Sequence, residues 1–365
     1  MSDRLDLAIW LESKDLSEDS QHSRSSDQSN FGCRKCPCCN ALFKEDPQYE
    51  QPQIQVHLNF WKLPGCNAFD IGIDFPVLRQ GKLNIFINTQ KNIISKDITQ
   101  LLKTDVVINT IFNEFISTTS CPKQTPCRKA ERKSENSSDA FCLCCFANPI
   151  QKEQKFGGTL ISFSISNHRC DKSCGCSRQY VRIRLKGDGI DKLYIQDEIP
   201  SSKFEYYTSK REFLDFRLNN VRSLPQALLE YRNIYPELNK VRCFLMLESE
   251  EDLSLYSKDY KKVRVIEKEN WRLYIDDIVP YIQDKDKESF LDEFTAKGKK
   301  KKKAILAYQW NTEKPEPDFS LFAEIKRSEF SMRMLWFSLK VWIFLGVPSL
   351  LFGEFIKYLW GILFK

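Results

Sequence analysis

The sequence predicts an α+β protein: a mixed or antiparallel, β-rich, two-lobed body with zinc-knuckle sites, followed by a C-terminal transmembrane or membrane-inserting helix. Three observations lead to this prediction. Short segments rich in β-branched and aromatic residues recur along the body, closely spaced cysteines interrupt them, and residues 334–364 are almost entirely apolar. The predicted domains are residues 1–31, 32–155, 156–325 and 326–365.

The composition limits the class of protein. The chain has 365 residues, 42% of them hydrophobic, with 55 Lys and Arg against 49 Asp and Glu. These values exclude a collagen-like chain, a small disulfide scaffold and a wholly disordered protein. The net charge of +6 equals the charge of one lysine cluster, made of Lys297, Lys299, Lys300, Lys301, Lys302 and Lys303. The rest of the chain is balanced, so no broad basic surface for nucleic acid is predicted.

Residues 1–31 are rich in Ser, Gln and acidic residues, and they predict a mobile acidic tail. The first lobe, residues 32–155, follows. It contains three strand-like segments, at 55–61, 69–75 and 83–89. Residues 95–102 have the pattern of a capped helix, and residues 128–139 have that of a polar loop.

The second lobe, residues 156–325, contains the clearest strand pattern of the chain. In the sequence YVRIRLKG, the apolar Val181, Ile183 and Leu185 alternate with basic residues. Such alternation is typical of a strand with one apolar and one polar face. Residues 224–234 predict the best amphipathic helix of the body. Further strands are predicted at 159–166, 192–198, 241–247, 263–275, 304–310 and 319–327.

The cysteines predict structural zinc. There are fourteen of them, and a body in the reducing cytoplasm favours metal ligands over disulfides. In C-x-x-C pairs a tight turn exposes two thiolates to one tetrahedral ion, and the CPCCN stretch at 36–40 looks like a zinc-ribbon knuckle. Two zinc ions are expected, with ligands Cys33, Cys36, Cys39, Cys142, Cys145, Cys170, Cys174 and Cys176.

The spacing does not fix which clusters share an ion. The simplest arrangement joins the 33–39 cluster to the 142–145 cluster, and the 168–176 cluster, which includes His168, to the 121–127 cluster. An iron–sulfur cluster and redox-active thiols are the other interpretations. A catalytic zinc is disfavoured, because such sites usually use His or carboxylate ligands and the chain has only 3 His.

Not every cysteine or histidine is expected to be a ligand. Cys66, in the stretch PGCN, and Cys243, in the strand-like VRCFLML, are predicted to be buried small apolar residues. His57 is predicted to be a strand residue.

The C-terminal segment is predicted to meet a membrane. Residues 341–353 carry no charge, but this stretch alone is too short to cross about 30 Å of hydrocarbon. The nearby charges fall on one side of a helix and form a polar stripe, consisting of Arg333, Lys340, Glu354 and Lys357. Four placements stay open: a tilted spanning helix, a re-entrant hairpin, an interfacial amphipathic helix and a helix buried in an oligomer.

Basic residues near this segment suggest its orientation and its contacts. Lys326, Arg327 and Arg333 precede the segment, which predicts a single C-terminal membrane segment with the body in the cytoplasm. The lysine cluster is expected to contact anionic lipid, while a phosphate backbone or plain solvent are the alternatives.

No catalytic residue is predicted. Asp70 and Asp74 share one face of a strand, where paired carboxylates can hold a metal but more commonly face solvent. Asp318, Glu324 and Lys326 match the wording of the PD…ExK nuclease motif, but with a very short gap between the acids. The sequence contains no P-loop, G-x-S-x-G or G-x-G-x-x-G motif.

The function predicted from these features is a membrane-anchored, zinc-stabilised sensor or effector whose C-terminal helix oligomerises in the membrane or disrupts it. A soluble sensor joined to a short membrane segment with a charged stripe resembles, in architecture alone, effectors of microbial antiviral defence that kill by membrane disruption. The resemblance implies a lipid bilayer and further copies of the chain as partners. A membrane-tethered zinc-ribbon adaptor for nucleic acid or protein is the main alternative, and a metal-dependent nuclease is the other.

Overall fold

The structure is a computed structural model, and it shows a mostly β protein. The described residues are 5–13, 53–63, 66–77, 80–120, 128–132, 140–145, 151–166, 176–191, 193–196, 209–231, 238–278 and 304–328, with nine helical residues between 336 and 360. Of these, 60% lie in strands and 19% in helices. The predicted α+β class is therefore wrong.

Eight strands form one sheet: β1 (Leu5–Ser13), β4 (Gln80–Ile87), β9 (Gln151–Lys155), β10 (Gly158–Ser166), β12 (Tyr194–Gln196), β13 (Ser209–Leu218), β15 (Glu251–Tyr256) and β18 (Phe319–Ser328). Their order is β15-β18-β13-β1-β4-β10-β9, and β12 also pairs with β13. β1 and β13 run parallel, with Leu5 opposite Phe216, whereas the other pairs are antiparallel.

Ten strands form the other sheet: β2 (Ile54–Leu63), β3 (Cys66–Pro76), β5 (Ile94–Asp97), β6 (Ile116–Ser120), β7 (Arg128–Arg132), β8 (Ala140–Leu143), β11 (Arg178–Lys186), β14 (Leu238–Glu248), β16 (Lys262–Val265) and β17 (Ile305–Asn311). Their order is β16-β17-β14-β2-β3-β11-β8-β7-β6, and β5 also pairs with β11. The β2/β14 and β8/β11 pairs are parallel.

The main core lies between the two sheets. Alternate residues of the central strands point inward and bury aliphatic and aromatic side chains, which is the arrangement that stabilises packed sheets. Phe60 and Phe69 of the ten-stranded sheet lie 5.0 and 5.4 Å, between ring centroids, from Phe216 of the eight-stranded sheet. The predicted apolar face of β11 is confirmed, because its three apolar residues are fully buried in this core.

The two-lobed body is wrong. Strands from both predicted lobes pair within both sheets: β3 with β11, β2 with β14, and β4 with β10. The whole body therefore shares one core. Pairing depends on complementary strand faces far apart in the chain, and the local composition used for the prediction carries no information on that.

The mobile tail predicted over residues 1–31 is wrong for residues 5–13. These form β1, which lies between β13 and β4, and Leu7 and Ile9 are fully buried. The acidic and serine-rich composition of the whole segment outweighed its short apolar run, LDLAIWL, which is buried on both faces. The remaining residues of the predicted tail lie outside the described residues, and so do Cys33, Cys36 and Cys39 of the predicted first lobe.

Helices cover the outer faces of the sheets. The described helices of more than three residues are a 3₁₀ helix (Thr99–Lys103), α1 (Asp105–Phe112), α2 (Asp188–Asp191), α3 (Gln226–Tyr231) and α4 (Lys268–Asp276). The 3₁₀ helix, α1 and α4 pack on the outer face of the ten-stranded sheet and form a second apolar cluster there. On the outer face of the eight-stranded sheet, Leu224 and Leu228 near α3 pack against Trp10 and Phe86.

Three local predictions need correction. The helix expected at 95–102 is strand β5 followed by the 3₁₀ helix, and β5 is held by pairing with β11. The loop expected at 128–139 begins as strand β7. The strand expected at 263–275 changes after β16 into helix α4. In each case a tertiary partner decides the conformation.

The predicted C-terminal transmembrane helix is not found among the residues that the structure describes. Among the described residues, no helix has both the length and the apolar character that crossing a membrane requires. The described part of residues 334–364 is helical, and its side chains are exposed.

Candidate functional site

The most extensive polar network lies on the outer face of the ten-stranded sheet, beneath α4. Asp70 of β3 is fully buried and accepts two hydrogen bonds from Arg184 of β11, from Nε at 2.7 Å and from Nη2 at 3.0 Å. It also accepts from the Tyr274 hydroxyl of α4, at 2.6 Å, and from Trp61 Nε1, at 2.7 Å. Burial opposes ionisation of Asp70, but the charge and hydrogen bonds of Arg184 outweigh it and lower its pKa.

A second set of contacts continues from Tyr274 across the sheet. Arg182 Nε donates to the Tyr274 hydroxyl at 2.5 Å, and Arg182 Nη1 donates to the Tyr180 hydroxyl at 2.9 Å. The Tyr180 oxygen lies 3.3 Å from His57 Nδ1. The Tyr180 oxygen accepts from Arg182, and the direction of its second hydrogen bond, with His57 Nδ1, follows the tautomer of the imidazole.

Gly72 provides the space for this network. It lies between His57 and Arg182 in the register of β2, β3 and β11. A Cβ atom at Gly72 would collide with the Tyr180 hydroxyl. Arg182 Nη2 and His57 Nε2, both buried, have no hydrogen-bond partner among the described residues. Burial and the charges of Arg242 and Arg182 hold the pKa of His57 well below its usual value.

Asp74 anchors the other end of the same face. Arg178 Nε donates to its carboxylate at 2.7 Å, and Arg132 Nη2 lies 3.6 Å away. Arg132 also bonds Glu114 at 3.0 Å, and Glu114 in turn pairs with Arg242. The expectation that Asp70 and Asp74 face solvent is wrong, because helices and arginines cover both. Four residues apart on one strand, they are about 13 Å apart and cannot hold one metal ion.

This network fixes charges in place and offers no exposed reactive group. Burial raises the pKa of Tyr274, so its phenol stays protonated as Asp70 stays ionised. Sequence reasoning placed Arg182 and Arg184 on a polar strand face and missed their partners. The available signal was the apolar spacing of residues 271, 274, 275 and 278, which is helical and indicates a cover for that face.

The other group of side chains that could react or bind a ligand is a cysteine cluster at the junction of β8 and β11. Cys142 and Cys144 are buried, and the half-buried Cys176 packs against them. The parallel pairing of the two strands places Cys142 opposite Gln179, and the Cys144 amide donates to the Tyr180 carbonyl at 2.9 Å. The structure thus joins the 142–145 cluster to the 168–176 cluster, whereas the simplest sequence pairing had kept them apart.

The remaining predicted ligands are placed differently. Cys145 is buried and accepts a hydrogen bond from Gln100 Nε2. Cys33, Cys36, Cys39, Cys170 and Cys174 lie outside the described residues. Within the described residues, no group of three or more His, Cys, Asp and Glu has the arrangement of a metal site, so the zinc knuckles predicted as part of the fold class are not found there. Cys243 is fully buried in the main core, as predicted.

The nuclease-like residues do not assemble. Asp318 accepts a hydrogen bond from Asn220 at 2.9 Å, just before β18 begins. Glu324 lies six residues further along the extended chain, about 20 Å away. Its charge is met by Arg211 at 3.5 Å and by Lys326 at 3.9 Å. Two carboxylates at this separation cannot ligate one catalytic ion.

The membrane-related residues are described only in part. Lys340, Glu354 and Lys357 are helical and exposed, and Lys357 Nζ lies 2.8 Å from Glu354 Oε1. Arg333 and the lysine cluster, Lys297, Lys299, Lys300, Lys301, Lys302 and Lys303, lie outside the described residues.

Comparison with known proteins adds no assignment: neither the models of protein families nor the curated proteins contain a match to this chain.

Proposed function

We propose that this protein is a membrane-associated effector whose C-terminal helical segment binds a lipid bilayer and disrupts it when several chains associate. The observation that carries the proposal is the exposure of large apolar side chains on that segment. Trp336 and Tyr358 are helical and expose 61% and 68% of their surface. Leu339 and Val341, on the same segment, are exposed as well.

Exposed aromatic side chains are costly in water and favourable at a bilayer surface. Removing apolar area from water contributes about 25 cal/mol per Å². Trp and Tyr also concentrate at membrane interfaces, where the ring is buried and its polar atom stays hydrated. The β body does not cover the apolar side chains at these positions, so their transfer from water to a bilayer surface is favourable.

The charges on the segment fit the same proposal. Glu354 and Lys357 are one helical turn apart and form an ion pair, which lowers the cost of bringing either charge near lipid. Lys326 and Arg327, at the end of β18, precede the segment and suit anionic headgroups. We propose that this side of the body faces the cytoplasmic surface of the membrane.

Vesicle flotation and dye release with the full-length protein test the proposal. Replacing two of the exposed aromatics, in Trp336→Glu with Tyr358→Glu, is expected to reduce vesicle binding by about tenfold or more, because it removes apolar anchors and adds charge. The matched control is Val106→Glu with Leu273→Glu, two residues of the body that are 54% and 56% exposed. The control is expected to bind as the unaltered protein does.

A second pair of variants separates binding from disruption. Lys340→Leu with Glu354→Leu is expected to keep flotation and to lose dye release, if the polar stripe lines a path between associated chains. Absence of flotation by the unaltered protein, or equal loss in the Val106 and Leu273 control, would overturn the proposal. Binding with no dye release from any vesicle would favour a passive anchor, as in an adaptor.

A further inference from the structure

Four cations lie together where β13 begins and β18 ends. In the antiparallel register of these strands, Lys210 is opposite Arg327 and Arg211 is opposite Lys326. Two successive pairs of like charge are unfavourable in a sheet, because directly opposed side chains lie close together. The two strands therefore concentrate positive charge at one end of the eight-stranded sheet. We call Lys210, Arg211, Lys326 and Arg327 the basic corner.

The carboxylates that neutralise the basic corner lie deeper than its cations. Glu212, Glu248 and Glu324 expose 15%, 6% and 10% of their side chains, whereas Lys210 and Lys326 expose 36% and 40%. The contacts of Arg211, Lys326 and Arg327 with these carboxylates are 3.5–3.9 Å long. At such distances the charges attract each other without forming hydrogen bonds. Negative charge thus lies inside this end of the sheet and positive charge lies outside it.

The cations occupy both faces of the sheet. Directly opposed residues share a face, and neighbours along a strand point to opposite faces. Lys210 and Arg327 lie on the inner face, in line with Leu214 and Ile325 of the main core, and Arg211 and Lys326 lie on the outer face. Only a partner that meets the ends of the strands contacts all four cations, and a flat anionic surface has that shape.

The basic corner lies where the chain leaves the body towards its C-terminal segment. β18 ends at Ser328, and the helical Trp336 follows eight residues later. Eight residues span at most about 28 Å. A C-terminal segment bound to a bilayer therefore holds this end of the sheet close to the lipid headgroups.

We infer that the basic corner is the surface with which the β body binds the phosphate groups of anionic lipids, an inference that rests on the proposed membrane function. Guanidinium and ammonium groups are the side chains that best suit phosphate. Contacts on the body would orient it with its strand ends towards the bilayer. The C-terminal segment supplies apolar anchoring, and the basic corner supplies the preference for anionic lipid.

Binding of the full-length protein to two kinds of vesicle tests the inference. One kind is phosphatidylcholine alone, and the other contains about 30% phosphatidylserine. Lys210→Gln with Lys326→Gln is expected to bind the anionic vesicles about tenfold or more weakly and the neutral vesicles within about twofold of the unaltered protein. The matched control is Lys82→Gln with Lys91→Gln, two exposed lysines in β4 and just after it, and it is expected to bind both as the unaltered protein does.

The fold is expected to tolerate the substitutions in the basic corner, because each carboxylate that loses a lysine keeps another cation. Glu212 keeps Lys62 at 3.1 Å, and Glu324 keeps Arg211 at 3.5 Å. All variants keep the lysine cluster, so a difference between them reports the basic corner. Asp252, an exposed carboxylate opposite Lys326, provides a variant in the other direction. Asp252→Asn is expected to bind the anionic vesicles about threefold more tightly.

The outcomes separate this inference from the proposed function. Binding to both kinds of vesicle without loss in Lys210→Gln with Lys326→Gln, or with equal loss in the control, would overturn the inference and leave the membrane function in place. Absence of binding to either kind of vesicle would overturn both. Unchanged vesicle binding together with lost binding of double-stranded DNA in the same variant would assign the basic corner to nucleic acid instead.

Discussion

At the scale of single residues, Asp70 illustrates how strongly the covering element decides a side chain's role. Its strand pattern is compatible with a solvent-facing carboxylate, yet it is fully buried and bonded to Arg184, Tyr274 and Trp61. Removing one partner of such a buried pair typically costs about 3–5 kcal/mol, because the other charge remains buried and uncompensated. The network therefore specifies how α4 sits on the sheet.

The burial of the His57 imidazole predicts that the stability of the protein depends on pH. Its pKa is lowered in the folded protein by burial and by Arg242, Arg182, Arg132 and Lys240, so it stays neutral there. In the unfolded chain it takes up a proton below about pH 6.5, which favours unfolding. Stability is expected to fall as pH drops from about 7 to 5, measured by urea unfolding.

The variant His57→Gln isolates this contribution. Without the histidine, the free energy of unfolding is expected to change less between these pH values. The carboxylate Asp70 also has a lowered pKa, but its stabilisation is lost only below about pH 4. An identical pH slope in both proteins would contradict the role given to His57.

At the scale of elements, α4 forms where the composition favours a strand. Residues 263–275 contain β-favouring residues and were predicted as strand, but the apolar positions 271, 274, 275 and 278 follow a helical spacing. In the structure Trp271, Tyr274 and Ile275 are buried against the sheet, while Leu273 is 56% exposed. The helix is thus held by one apolar face and by the Tyr274 hydroxyl.

Tyr274→Phe is expected to destabilise the protein by about 1–3 kcal/mol in chemical unfolding. Phenylalanine keeps the ring under the Arg184 guanidinium, whose carbon lies 4.6 Å from the ring centroid, but it removes the hydroxyl. Asp70 and Arg182 would then each lose a buried partner. Leu273→Ala on the same helix is the control, with an expected change within about 0.5 kcal/mol. Equal effects of the two variants would show that the hydroxyl contributes nothing.

At the scale of the whole molecule, the chain interleaves its two halves. β1 is parallel to β13, β2 is parallel to β14, and both sheets contain strands from early and from late segments of the chain. Such long-range pairing joins early and late segments into one folding unit, because β1, β2 and β3 each pair with a strand more than 100 residues further along the chain. The N-terminal strand is consequently part of the core.

Ile9→Ala tests the position of β1. Ile9 is fully buried between the sheets, and the substitution is expected to cost about 2–5 kcal/mol in urea unfolding. The matched control is Ile94→Ala in β5, where the isoleucine is 45% exposed and a change within about 0.5 kcal/mol is expected. A negligible effect at Ile9 would restore the interpretation of this segment as a mobile tail.

The sequence by itself determined most strand positions, the inward face of β11 and the burial of Cys243, because alternation and apolar composition are local properties of the chain. Only the tertiary structure decided that Asp70 and Arg184 are buried, that Cys176 meets Cys142 and Cys144, and that the two halves share both sheets. These features depend on contacts between residues distant in sequence. A strand's polar face looks the same in the sequence whether water or a helix covers it.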